Sequence, residues 1–163
     1  MTPNLDAARM ALDAFLQNCP CDARLVALHD TDADGVAAGV VWQRGMEWLG
    51  RAAVRVLPGR ERNAWTDANR AVLADQRPDR LFVLDLGSQS EPILPGVPTC
   101  FIDHHKPGGV PQEDTLISAY EMVADPQHVA AGVRTSLAAC GHCRHGLGGR
   151  CWHGQRLGGA RAV

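Results

Sequence analysis

Leu28-His29-Asp30-Thr31-Asp32-Ala33-Asp34-Gly35 ends an apolar run with an imidazole, three carboxylates and a closing glycine. Like charges this close together repel, and burying them at a strand end is costly unless cations balance them. A divalent ion is the simplest balance, because carboxylate oxygens suit hard ions such as Mg²⁺ and Mn²⁺. Two further stretches have the same form. Leu81-Phe82-Val83-Leu84-Asp85-Leu86-Gly87 is an apolar run that ends in one Asp, and Phe101-Ile102-Asp103-His104-His105-Lys106 ends in an acid and two imidazoles. Three apolar strands that each deliver acid or imidazole at the C-terminal end describe the crevice edge of a parallel α/β sheet.

The segments between these stretches fit that sheet. Leu5, Ala8, Leu12, Phe15 and Leu16 form a helical stripe over 5–17, with Asn4 as cap. Asn18-Cys19-Pro20-Cys21-Asp22 breaks it as a turn, and Arg24–Leu28 is the first strand. Val36–Leu49 reads as a helix whose small residues Ala37, Ala38 and Gly39 allow close approach to the sheet. Arg51–Leu57 alternates apolar residues with arginines as a strand, and Pro58–Arg62 is a loop. Asn63 caps a helix to Gln76, which Arg77-Pro78-Asp79 ends. Strands follow at Arg80–Leu84 and Pro98–Ile102. Strands alternating with helices imply βαβ units, hence an α/β three-layer fold with a mostly parallel sheet and helices on both faces.

Composition bounds the function. A chain of 163 residues, 45% of them hydrophobic, is long enough for one domain with a core. A formal charge of -2 gives no general attraction to nucleic acid or to an anionic membrane, though a local basic groove stays compatible with it. The N-terminus lacks the basic start and apolar core of a signal peptide, and no apolar run is long enough to span a bilayer. The six cysteines are not spaced as a disulfide framework, which implies reduced thiols and a cytoplasmic protein.

On an extended loop, residues two apart point to one side, so Asp32 and Asp34 can face one ion. Gly35 frees the backbone for the turn into the next helix. With Asp85 from a second strand end and His104 or His105 from a third, the result is a mixed oxygen and nitrogen site suited to Mn²⁺. Several carboxylates shared between strand ends also suit two ions in the arrangement used for attack on phosphorus. Asp34 taken alone reads as a helix cap or turn residue. Arg60 and Arg62 are candidate phosphate contacts through the guanidinium fork, or simply solvated loop arginines. Lys106 has the same two readings.

Asp-Thr-Asp-Ala-Asp-Gly, the strand-end Asp85 and Asp103-His104-His105, in this order and spacing, resemble the DHH phosphoesterase family over residues 24–118. That family includes RecJ-like single-strand exonucleases, oligoribonucleases and manganese pyrophosphatases. The resemblance implies a DHH-type catalytic domain with two Mn²⁺ or Mg²⁺ ions that hydrolyses phosphodiesters of single-stranded or short oligonucleotides, or another small phosphoester. By matching position it makes Asp32, Asp34, Asp85 and His104 metal ligands. Asp103 lies close by, and His105 faces the substrate phosphate or the metal-bound oxygens, the pair forming the catalytic residues. The family's upstream ligand slot could be filled by His29 or Asp30, and Asp30 continues the alternation Asp30, Asp32, Asp34.

The family's fourth acidic motif and its second, substrate-binding domain are not readable here, so the catalytic domain over 1–123 is expected to be incomplete. Residues 124–163 form a Gly, Arg, His and Cys-rich tail, read as irregular. One set of permitted codons for 147–163, read one base along, encodes WAAVVGTVSDLGERAP, which contains Gly-Thr-Val-x-Asp-Leu-Gly and resembles the missing motif. The tail is therefore expected to be out of frame from a point between Leu137 and Leu147. Two alternatives stand beside the enzyme: a fragment that binds metal without catalysis, and a zinc-binding interaction module built on Cys140, His142, Cys143, His145, Cys151 and His153.

Overall fold

The computed structural model of the chain describes residues 5–17 and 19–122, with the backbone alone at 121 and 122. The Asn4 cap, the zinc alternative and the out-of-frame tail therefore lie outside the described residues. The elements run α1 (Leu5–Gln17), β1 (Leu25–His29), α2 (Ala33–Trp48), β2 (Ala53–Val56), α3 (Asp67–Asp75), β3 (Arg80–Leu84), β4 (Thr99–Asp103), β5 (Thr115–Ser118) and α4 (Ala119–Met122). The five strands form one sheet in the order β2-β1-β3-β4-β5, and every pairing is parallel. No described helix is long and apolar enough to cross a membrane.

Both sheet faces are covered, and this explains why the strands read as continuous apolar runs rather than as alternation. One face presents Leu25, Ala27, Phe82, Leu84, Cys100 and Ile102 to Leu12 and Leu16 of α1 and to Trp42 and Met46 of α2. The ring of Phe82 anchors this layer, with Phe15 edge-on at 5.2 Å and Trp42 tilted at 5.1 Å between centroids. The opposite face presents Val26, Leu28, Leu81, Val83 and Phe101 to Leu73 of α3 and to loop residues Ala64 and Ile93.

The chain leaves β1 through α2 to β2 on one side, then crosses through α3 to β3 on β1's other side. A right-handed crossover in each direction puts the two helices on opposite faces, as observed. The strand order reverses between β1 and β3, and the crevice above their C-terminal ends is the ligand position of such sheets.

Three local departures from the sequence reading have physical causes. Helix α2 starts at Ala33 rather than Val36, because Asp32 is its N-cap and accepts the Gly35 N–H at 3.1 Å. Gly35 is helical, and it is needed for close approach: a Cβ there would lie 2.6 Å from Asp30 Cβ and 2.8 Å from the Asp30 backbone. Helix α3 starts after Thr66, whose hydroxyl accepts the Asn69 N–H, while Asn63 accepts the Trp65 N–H in a turn three residues earlier. Strand β5 has no counterpart in the sequence reading, because Thr115-Leu116-Ile117-Ser118 is too short for a periodicity to show.

Gly39 seats α2 on the end of β1. It is buried, and a Cβ there would stand 2.6 Å from Nε2 and 2.7 Å from Cγ of the His29 ring. Gly39→Ala should therefore lower stability although alanine favours helix. Overpacking costs about 1–3 kcal/mol against a propensity gain of about 1 kcal/mol. Urea denaturation reads the difference, and an unchanged or higher midpoint would show that α2 is not held this closely.

Candidate metal centre

The crevice gathers side chains from three strand ends. Asp32 is the N-cap of α2 and Asp34 lies in its first turn, Asp85 comes from the exit of β3, and His104 and His105 from the exit of β4. Asp85 has a left-handed backbone (φ 61°), a conformation that Asp tolerates better than most residues and that turns the chain sharply as it leaves the strand. The Asp85 N–H donates to Ile102 O at 3.1 Å and the Asp30 N–H to Leu84 O at 3.2 Å, so the three strand ends are tied to one another.

Two groups of ligand atoms converge. Asp32, Asp34 and Asp85 form one, and Asp85, His104 and His105 form the other, with all atoms in each group within 4.8 Å of one another. Asp85 belongs to both. Its Oδ1 is buried and has no hydrogen-bond partner among the described residues. His104 Nε2 comes to 3.0 Å from it, off the line that a hydrogen bond needs, and His105 Nδ1 stands too far for one at 3.7 Å. His104 Nε2 is also 3.7 Å from Asp34 Oδ2. A buried, unpartnered carboxylate oxygen surrounded by two imidazoles and two more carboxylates suits a divalent cation of the Mn²⁺ or Mg²⁺ type.

Burial first, and then the charges of Asp34, Asp103 and Asp32, push the Asp85 carboxyl up to about 6 against the opposing pull of His104. Asp32 moves the other way. The Gly35 amide first, then a hydrogen bond shared with Asp34 and the Arg62 guanidinium, hold its carboxyl below the usual carboxylate range.

Asp103 stands behind His105. The buried Asp103 accepts the Gly87 N–H, the His105 N–H at 2.5 Å and His105 Nδ1 at 2.7 Å. It is spent on holding His105 and the turn after β3, and it lies in neither converging group. Burial works against charging His105, but the Asp103 carboxylate, with Asp85 and Asp34 behind it, outweighs burial and raises its pKa. His105 is half exposed and packs against His104 at 4.3 Å between ring centroids.

The structure does not bring every expected residue to the centre. The alternation Asp30, Asp32, Asp34 fails because α2 begins at Ala33 and the backbone is no longer extended. The buried Asp30 instead receives Arg62, with Nε at 2.6 Å and Nη2 on its other oxygen, while Nη2 also reaches Asp32 Oδ2 at 2.7 Å. Arg62, expected on a substrate phosphate, is thus engaged with two carboxylates. His29 donates Nδ1–H to Asp30 O at 2.7 Å and lies under α2, with Nε2 buried and away from both groups. Arg60 and Lys106 are exposed and make no hydrogen bond or ion pair among the described residues.

No protein-family model matches the sequence, and no curated protein is similar to it in sequence. Solved structures share the fold. An exonuclease RecJ bound to manganese superposes with a TM-score of 0.62 at 17% identity, covering 84% of this chain and 38% of that one. RecJ from Thermus thermophilus in complex with Mn²⁺ gives 0.62 at 20% identity, covering 84% and 21%. An exopolyphosphatase-related protein from Bacteroides fragilis gives 0.53 at 13% identity, covering 81% and 44%. The chain spans less than half the length of each. The fold is thus the α/β fold of these proteins, as the DHH-type resemblance implied.

Asp85 makes the metal-free centre sensitive to pH. Its folded pKa is raised, so its contribution to stability is complete below about 4 and is lost as pH rises through about 6. In chelator, Asp85→Asn should remove that part of the profile and be more stable than the parent at pH 7 while matching it near pH 4. Asparagine also tolerates the left-handed backbone. Urea titrations of both proteins across this range measure the difference, and parallel profiles would show that Asp85 carries no raised pKa.

Proposed function

We propose that the chain is the catalytic portion of a metal-dependent phosphoesterase of the DHH type, acting on phosphodiester bonds of single-stranded or short oligonucleotides. The observation that carries this is the shared position of Asp85, which joins an all-carboxylate group to a carboxylate–imidazole group at the point where the strand order reverses. A carboxylate common to two adjacent ligand groups suits two ions, Mn²⁺ or Mg²⁺. The likeness in fold to RecJ structures that hold manganese supports the same reading, and the name exonuclease attached to one of them supports the substrate class.

Asp32, Asp34, Asp85 and His104 would hold the ions. When bound, such ions lower the pKa of water and neutralise charge on phosphate oxygens. The remaining work falls to the protein. Asp103 fixes the His105 ring by its Nδ1 and main-chain N–H, which leaves Nε2 of a half-exposed imidazole free to serve the substrate. A raised pKa keeps His105 able to donate a proton to the leaving oxygen near neutral pH. Arg60 and Lys106, exposed and without partners among the described residues, are the cations available to substrate phosphates. A cytoplasmic location fits an oligonucleotide substrate.

The test is Mn²⁺-dependent hydrolysis of bis(p-nitrophenyl) phosphate and of an end-labelled short single strand. Asp32→Ala and His104→Ala should each fall by about 10²-fold or more, and His105→Ala should lose a comparable factor in kcat with little change in KM. A folded, manganese-bound chain with no turnover on either substrate would remove the catalytic reading and leave a metal-binding fold.

A further inference from the structure

We propose that Arg62, whose side chain is 45% exposed, sets the divalent-metal affinity of the centre, by withholding Asp30 from the ions and competing with them for Asp32. This rests on the metal reading above and adds a residue to it.

Asp30 stands at the mouth of the same crevice as the two converging groups, follows β1 directly, and is buried to 7% exposure. Its ligand atoms are nonetheless committed elsewhere. Oδ1 accepts the Thr31 N–H at 2.5 Å and Arg62 Nε at 2.6 Å, and Oδ2 accepts Arg62 Nη2. A forked guanidinium on a buried carboxylate satisfies its charge and most of its lone pairs, leaving little for a metal.

Asp32 is the point of competition. One oxygen caps α2 through Gly35, and the other accepts Arg62 Nη2 at 2.7 Å. The same residue belongs to the Asp32, Asp34 and Asp85 group. An ion on that group would share Asp32 with a fixed positive charge one hydrogen bond away, and two cations on one carboxylate repel across a few ångströms.

The backbone shows that this placement is imposed. Arg62 has φ 48°, a left-handed conformation that is strained for a non-glycine residue and persists only where its surroundings determine it. Arg62 N donates to Gly59 O at 3.0 Å, which closes the loop that presents the guanidinium. The fork onto two carboxylates is the interaction that holds the side chain there.

The experiment is isothermal titration of Mn²⁺ into the chelator-treated full chain. Arg62→Gln should bind Mn²⁺ about tenfold more tightly or better, from the repulsion removed. Arg62→Lys, which keeps the charge, should stay near the parent. If Arg62→Gln does not fold, because it leaves the Asp30 charge buried alone, the Asp30→Asn/Arg62→Gln pair reads the same competition and should bind more tightly than Asp30→Asn. A parent that binds Mn²⁺ with the Arg62→Gln proteins no tighter than their Arg62-bearing counterparts would overturn this inference alone. Mn²⁺ binding by none of the proteins would overturn the metal reading and this inference with it.

Discussion

Repulsion among carboxylates at the β1–β3 crevice is the constraint on which the centre depends. Asp32, Asp34 and Asp85 bring oxygens within 4.8 Å of one another, where like charges repel. Water screens the exposed Asp34, but Asp85 is buried and has no such relief.

The compensation comes from several devices. The N-terminus of α2 places its free N–H groups and positive dipole end beside Asp32 and Asp34, with the Gly35 amide bonded to Asp32 directly. Arg62 takes the charge of Asp30 and part of that of Asp32. Asp103 is absorbed by the Gly87 and His105 amides and the His105 ring. Among these carboxylates Asp85 has a buried oxygen without a hydrogen bond from the described residues, and despite His104 nearby its carboxyl is pushed toward the neutral form. What is left uncompensated after folding marks where a cation belongs.

Much of this is legible in the sequence, because it rests on patterns that do not depend on long-range contacts. Strands buried on both faces read as apolar runs, and the chemistry-bearing residues follow them at once, so the order of residues alone places β1, β3 and β4 and the groups at their ends. The fate of each carboxylate is not legible, because it depends on partners far along the chain. Asp30 is paired with a residue 32 positions away. A period-of-two argument treats Asp30, Asp32 and Asp34 alike, and it fails where the backbone changes from strand to helix at Ala33. Strand β5 escapes for a different reason: its four residues are specified by the pairing of Phe101 with Leu116 and Ile102 with Ile117, not by their own pattern. Arg60 and Arg62 are chemically equivalent in the sequence, and the left-handed turn at Arg62 and its fork onto Asp30 and Asp32 separate them.

The shared position of Asp85 is tested most directly by counting Mn²⁺ ions on the full chain by equilibrium dialysis and recording their electron paramagnetic resonance spectrum. Two ions per chain with a spin-coupled signal are expected, and Asp85→Asn should lose the coupling together with at least one ion. A parent that binds no Mn²⁺, or an Asp85→Asn protein with the parent's stoichiometry and coupling, would contradict the assignment of Asp85 as the common ligand.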